Sequence, residues 1–170
     1  MLNRRSVLAT GALAAIPLAA PVGALAQNRK DAVVLAMTLE PPGLDPTAGA
    51  ASAIAEIVQY NIFETLTKIN PDGSVSPLLA ESWEVSPDLK TYTFKLRKGV
   101  KFQNGEPFNA AAVKFSYDRA GGEKSTNKDK RTFAAMESVR PDGDHTVVII
   151  NKEPDPDVLF YMGQATASMV

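Results

Sequence analysis

Between Thr91 and Arg97 the chain alternates without a break: Tyr92, Phe94 and Leu96 share one parity, and Thr91, Thr93, Lys95 and Arg97 share the other. Successive side chains of a strand point to opposite faces, so this pattern predicts a strand buried on one face, in a register that a slip of one residue would invert. Upstream, Trp83 and Val85 also alternate with polar neighbours, and Ser86-Pro87-Asp88 separates the two segments. The pair reads as an antiparallel hairpin. Two other stretches carry the helical period. Ile54, Ile57, Val58, Asn61, Ile62 and Leu66 predict one amphipathic helix with Ser52 as its N-cap, and Val113, Ser116, Tyr117 and Ala120 predict another capped by Asn109. The fold class is α/β.

Turn chemistry divides these elements. Asn70-Pro71-Asp72-Gly73 has the residue order of a type I turn, and Asn104-Gly105 and Pro141-Asp142-Gly143-Asp144 are further turn signals. Thr146 to Ile150 is a β-branched strand, and the glycine-containing, charged run Gly121 to Lys130 predicts an exposed loop. Glu153-Pro154-Asp155-Pro156-Asp157 is an extended connection to a new apolar element at 158–170, whose last residues, ATASMV, read as a strand cut midway and the chain as a fragment. Near the start, Ala32 to Thr38 predicts a buried strand. Glu40-Pro41-Pro42-Gly43-Leu44-Asp45-Pro46 cannot be helical, because each proline fixes φ, lacks a donor and biases its predecessor toward extended geometry.

Residues 1–26 read as an export signal rather than structure. Arg4 and Arg5 precede an Ala-rich apolar stretch that ends at Ala24-Leu25-Ala26, which has the form of a small-residue cleavage site. Gly11, Pro17, Pro21 and Gly23 interrupt that stretch, which argues against an uncleaved membrane anchor, and the adjacent arginines followed by Val-Leu resemble a twin-arginine leader. The sequence has no cysteine, so disulfides, thiolate zinc sites, a cysteine nucleophile and a lipidated cysteine are all excluded. An exported chain without such an anchor is expected in the periplasm. With 18 Lys+Arg against 19 Asp+Glu there is no single-sign field of the kind that nucleic acid requires, so no nucleic-acid partner is expected.

Catalytic patterns are missing where they would be needed. The one histidine, His145, lies between a turn and a strand, where it reads as a surface residue, and HExxH, GxSxG and GxGxxG do not occur. Gly121-Gly122-Glu123-Lys124-Ser125-Thr126 resembles the end of a P-loop, but its lysine does not follow a glycine directly. Asp155 and Asp157 flank Pro156 without the further oxygen donors a cation site needs. Trp83, Tyr92 and Phe94 fit a core better than a stacking platform. The expectation is therefore a chain with no catalytic residue, no metal and no cofactor. The segment 40–50 is the exception in favour of function: it follows a strand, where open α/β sheets hold ligands, and its prolines pre-position backbone groups. Glu40, Pro42, Thr47, Ala48 and Gly49 are the candidate ligand-binding residues, with Glu40 able to receive a ligand cation.

The run from Pro77 through Trp83 to Asp88, followed by Thr91 through Arg97 to Phe102, resembles the bacterial extracellular solute-binding proteins of family 5, the oligopeptide, dipeptide and nickel type. Leu44-Asp45-Pro46, Phe63-Glu64-Thr65-Leu66, Asn104-Gly105-Glu106-Pro107-Phe108, Val113-Lys114-Phe115-Ser116 and Thr146-Val147-Val148-Ile149 match the same family in the same order. Ala112 departs from it, standing where the family usually has an aspartate near the start of a helix. The resemblance implies a type II periplasmic-binding-protein fold, in which two lobes close like a flytrap. It divides the chain into a leader (1–26), the start of lobe I (27–48), a small mixed-sheet α/β subdomain with its return strand (49–150) and re-entry into lobe I (151–170). It also implies a monomer that binds a small molecule or short peptide and delivers it to ABC permease subunits in the inner membrane. A metal chelate on the same fold is the alternative ligand, and a secreted hydrolase the alternative from another class.

Overall fold

The computed structural model describes residues 36–48 and 52–170, and Met37–Val170 form one unit. The strand expected at Ala32 to Thr38 falls mostly outside the described residues, and its last three positions carry no strand. The first helix, α1, spans Ser52–Val58, with Ser52 inside it rather than capping it. It stops well short of Leu66. The amides of Ile62 and Phe63 both donate to the Val58 carbonyl at 2.9 Å, and Tyr60 takes a left-handed φ of 64° that ends the helix. Beyond it the backbone is already engaged elsewhere, since the Leu66 carbonyl accepts from the amides of Leu78 at 3.2 Å and Ala80 at 2.9 Å. The apolar spacing that suggested a longer helix belongs partly to this pairing, in which Leu66 is fully buried.

Strands β1 (Thr67–Ile69) and β2 (Val75–Pro77) pair antiparallel around the expected turn, where the Gly73 amide donates to the Asn70 carbonyl at 2.9 Å with Gly73 at φ 82°. The alternating segments form β3 (Ala80–Val85) and β4 (Thr91–Leu96), with Trp83 opposite Phe94 and Val85 opposite Tyr92. Tyr92, Phe94 and Leu96 are all buried, as the alternation requires.

Helix α2 (Ala110–Gly121) begins where Asn109 leaves helical geometry, and its Oδ1 accepts from the Ala112 amide at 3.0 Å. The cap uses the backbone of residue 112, so alanine there costs it nothing. Val113, Ser116, Tyr117 and Ala120 are the buried face. A short helix, α3 (Lys130–Ala134), leads into β5 (Met136–Pro141), and the Pro141 to Asp144 turn leads into β6 (Thr146–Asn151). The four-stranded sheet has the order β3-β4-β6-β5 and is antiparallel throughout rather than mixed. Helix α2 packs on β5 and β6, and the same core takes in Phe133, Val147 and Ile149. Two short elements follow, α4 (Val158–Tyr161) and a 3-10 turn at Ala165–Ala167, so ATASMV starts with a tight helical turn where a strand was expected. Its curl lets the Met169 amide reach the Glu64 carbonyl at 3.0 Å.

Tyr117 sits at the centre of this core, its ring 5.3 Å from Phe133, and burial pushes its hydroxyl far above the ordinary tyrosine range. That hydroxyl has no hydrogen-bond partner among the described residues. A buried donor left unpaired is a standing cost, so Tyr117→Phe is expected to raise stability by about 1 kcal/mol, read as a higher urea midpoint at unchanged slope. A fall of similar size would mean that the hydroxyl is satisfied in solution.

Candidate functional site

The proline loop enters the folded unit at one point. Pro46 and Thr47 are buried, while Glu40, Pro42 and Ala48 are exposed and Gly49 lies outside the described residues. Thr47 is the anchor. Its amide and its Oγ1 donate to Asp45 Oδ1 at 2.8 and 2.7 Å, and its carbonyl accepts from the Lys128 amide at 3.1 Å. Burial of Asp45 works to raise its pKa, but the Thr47 hydroxyl and amide, with the charge of Arg119, outweigh it and hold the carboxyl below the usual range.

A carboxyl with a depressed native pKa stabilises the fold above its unfolded value near pH ~3.9, and that contribution disappears as pH falls through the native pKa. Thr47→Val removes the hydroxyl donor. The variant is expected to have a lower urea midpoint than the parent at pH 6, with the gap narrowing as pH drops below the unfolded value of about 3.9. An equal gap at both pH values would show that the hydroxyl acts by packing alone.

Lys128 belongs to the segment after α2, which is largely exposed or half-buried as expected, with one exception. Asn127 is buried and organises it. Its Nδ2 donates to the Thr166 carbonyl at 2.9 Å, its Oδ1 accepts from the Asp129 amide at 2.8 Å, and its own amide donates to Ser125 Oγ at 3.0 Å. Asp129 in turn accepts from the Thr166 hydroxyl at 2.7 Å. The loop is therefore tied to Thr47 on one side and to the 3-10 turn on the other. Asparagine bonding to the amide two residues on is a recognised turn-former, and that was the signal available in Asn127-Lys128-Asp129.

Between Thr47 and this loop is a cavity of about 310 Å³, lined also by Arg119, Lys124, Ser125 and Thr126. Arg119 lies in the last turn of α2, where a cation complements the helix dipole. The ion pairs within 4 Å among the described residues are Lys90–Glu153 and Lys114–Asp118, so neither cavity cation is in a direct ion pair there, although the charge of Arg119 acts on Asp45. Among the described residues, Thr47 is thus the one predicted ligand-binding residue that lines the cavity, and Arg119, Lys124, Ser125, Thr126 and Asn127 are residues that the sequence reading had assigned to helix or loop.

The arrangement has hydroxyls and cations at the cavity, with the Asp45 carboxylate occupied by Thr47. Among the described residues, no carboxylate or imidazole lines the cavity. His145 lies elsewhere, just before β6, half-buried rather than on the surface, with its carbonyl accepting the Leu96 amide at 2.8 Å. Among the described residues no cluster of three His, Cys, Asp or Glu side chains is placed to hold a metal ion, and no helix is long and apolar enough to cross a membrane. Asp155 acts locally: its Oδ1 accepts the Asp157 amide at 3.0 Å and its carbonyl accepts the Tyr92 hydroxyl. The aromatic trio is core, with Trp83 half-buried against Phe94 at 6.4 Å.

Comparison with known proteins bears on the family and the fold. The profile of "Bacterial extracellular solute-binding proteins, family 5 Middle" matches residues 74–170. The glutathione-binding protein GsiB of Pectobacterium atrosepticum is 36% identical over 169 residues, which is 99% of this chain and 32% of that protein. Among solved structures, the periplasmic binding protein AgaA from A. tumefaciens R10 in complex with agropinic acid is 29% identical with a TM-score of 0.72, over 77% of this chain and 26% of its own. NikA from Brucella suis in complex with Fe(III)-EDTA is 40% identical with a TM-score of 0.56, over 61% of this chain and 21% of its own. The chain spans about a third of the length of the curated relatives it matches.

Proposed function

We propose that this chain, which belongs to the bacterial extracellular solute-binding proteins of family 5, contributes one wall of a hinged periplasmic receptor that captures a short peptide or peptide-like solute for an ABC importer. The observation that carries the reading is the cavity where a proline-stiffened loop, anchored at Thr47, meets two cations and a row of hydroxyls. Preset donors of this kind bind an anionic or amide-bearing solute at low ordering cost, and Arg119 can grip a carboxylate through two parallel bonds. A glutathione-binding relative supports the peptide class, since glutathione is itself a short peptide.

In this reading, residues 1–26 are an export leader, 27–48 open the first lobe, 49–150 form its small subdomain with the return strand, and 151–170 re-enter the lobe. Glu40, Pro42, Ala48 and Gly49 extend the wall beyond Thr47. The receptor is a monomer, closes on its ligand by rotation about the hinge, docks on the permease in the inner membrane, and makes or breaks no bond. A second reading is favoured by one observation, the similarity to a NikA structure holding Fe(III)-EDTA: a metal chelate bound at the same cations.

Isothermal titration of the full-length protein against a panel of di- and tripeptides and metal chelates separates the two. Peptide binding is expected, weakened severalfold by Arg119→Ala combined with Lys124→Ala, because both cations are exposed and each exposed charge contact contributes up to about 1 kcal/mol. Chelate binding without peptide binding would transfer the site to the second reading, and binding of neither would remove the proposal.

A further inference from the structure

Asparagine is a chemically labile side chain, because the backbone amide that follows it can attack its carboxamide carbon. Asn61, Asn70, Asn104, Asn109, Asn127 and Asn151 lie among the described residues, and their surroundings decide which of them can react. Asn70 precedes Pro71, which has no N–H to give up. Asn127 and Asn151 are buried, and the amides after them are committed: Lys128 donates to the Thr47 carbonyl and Lys152 to the Ala135 carbonyl, both at 3.1 Å. Asn109 caps α2, and the buried Ala110 after it donates its amide to the Asp144 carbonyl at 2.9 Å. Asn61 precedes β-branched Ile62, whose amide is held by the Val58 carbonyl at 2.9 Å.

Asn104 differs from all of these. Residues 103–107 are exposed, and the next residue is Gly105, which has no Cβ to block the approach and sits at φ 88°. Asn104 Oδ1 accepts from the Glu106 amide at 3.0 Å. A donor at that oxygen draws electron density from Cγ and is already in place for the negative charge that Oδ1 acquires when Cγ is attacked. The restraint is the bond from the Gly105 amide to the Phe102 carbonyl at 2.9 Å, and an exposed turn opens such a bond locally, without unfolding the sheet.

We propose that Asn104 is a site of covalent self-modification, converted to aspartate and isoaspartate with the Glu106 amide activating its carboxamide. Hydroxide takes the Gly105 amide proton, the Gly105 nitrogen bonds to Asn104 Cγ, and the Cγ–Nδ2 bond breaks, with Nδ2 taking a proton from water and leaving as ammonia. One water then opens the cyclic imide. Cleavage of the nitrogen–Cγ bond gives aspartate, and cleavage of the bond to the Asn104 main-chain carbonyl carbon gives isoaspartate. The second product routes the main chain through Cβ and Cγ, which lengthens a turn where the Phe102 amide donates to the Glu106 carbonyl at 2.9 Å and the Phe108 amide to the Val100 carbonyl at 3.0 Å. Aged molecules therefore carry an added negative charge and a loosened hairpin. The inference is independent of the ligand reading, because none of these residues lines the Thr47 cavity.

Peptide mass mapping of the full-length protein, held folded at mildly alkaline pH, tests it. The peptide with Asn104 is expected to show the amide-to-acid mass gain at least about tenfold faster than peptides with the other five asparagines, because only there is the nucleophile free to reach the carboxamide. Its rate should rise in proportion to hydroxide, and fragmentation should show isoaspartate beside aspartate. Glu106→Pro removes the donating amide and is expected to slow the conversion about tenfold, whereas Glu106→Ala removes the carboxylate, keeps the amide and should react at about the parent rate. Emission from Trp83 checks that each variant is folded. No mass gain at Asn104, a faster gain at another of these asparagines, or equal rates in the two Glu106 variants would each overturn the proposal.

Discussion

Phe94→Ala is expected to cost the protein about 3–5 kcal/mol, because a large buried ring is lost and the surrounding structure can only partly close the cavity. Phe94 is the most constrained ring in the sheet. It is fully buried, it lies on a central strand, and it is flanked in register by Trp83 on β3 and Val147 on β6, so neighbours on both sides are fixed by backbone pairing and cannot move in to fill the space. Domains of this kind hold only about 5–15 kcal/mol in all, so the variant should lose a large part of its stability. Trp83 is the single tryptophan and packs 6.4 Å from Phe94, so urea unfolding followed by tryptophan emission reads the site directly. Lys95→Ala, one residue along on the opposite and exposed face, is expected to stay within about 0.5 kcal/mol of the parent. A loss below about 1 kcal/mol for Phe94→Ala would mean that the alternating strand does not face the core.

The second large effect is expected at Gly121, the last residue of α2. A β-carbon there would stand 2.9 Å from the Phe133 carbonyl carbon and 3.1 Å from the Ala134 amide nitrogen. Both are backbone atoms of α3, so no side-chain rotation relieves the contact and the helices must separate. Overpacking of this sort costs about 1–3 kcal/mol, and Gly121→Val is expected to lower Tm by roughly 4–8 °C for a cost near 2 kcal/mol. The consequence reaches the candidate site, because α3 begins one residue after Asp129, whose carboxylate and amide hold Thr166 and Asn127. Solute affinity should therefore fall along with stability. Gly43→Ala is the matched control, since nothing lies within 4 Å of the added carbon. An unchanged Tm for Gly121→Val would show that α3 is not seated against α2 in solution.

These two residues also mark how far the sequence could be read. Phe94 was legible because a strand pattern of period two is local: six residues suffice to declare which parity faces inward, and the structure buries that parity. The Asn109 cap and the buried face of α2 were legible for the same reason. Gly121 was not. It looked like the start of a loop, and nothing in its neighbours announced that a helix nine residues later would press its backbone against it. Strand β5 and helix α3 escaped notice likewise, since Met136–Pro141 has a broken apolar pattern, with a register shift between Met136 and Ser138. The overlong first helix has the opposite cause. A real apolar spacing was assigned to one element, although Leu66 serves a pairing with residues 78–80 that no local pattern encodes.

The candidate site divides in the same way. Thr47 was within reach of the sequence, as part of a loop that three prolines keep out of helix. Arg119, Lys124 and Asn127 were not, because each is unremarkable where it stands and matters only beside Thr47, more than seventy residues earlier in the chain. By itself the sequence determined element type, facing and turn position, because propensity, capping and period act over a few residues, and its ordered motifs were enough to indicate the family. Tertiary structure alone decided which loop residue is buried, which glycine is a contact and which cations share a cavity. Those outcomes depend on backbone hydrogen bonds and packing between segments distant in sequence, whose energies no short window contains.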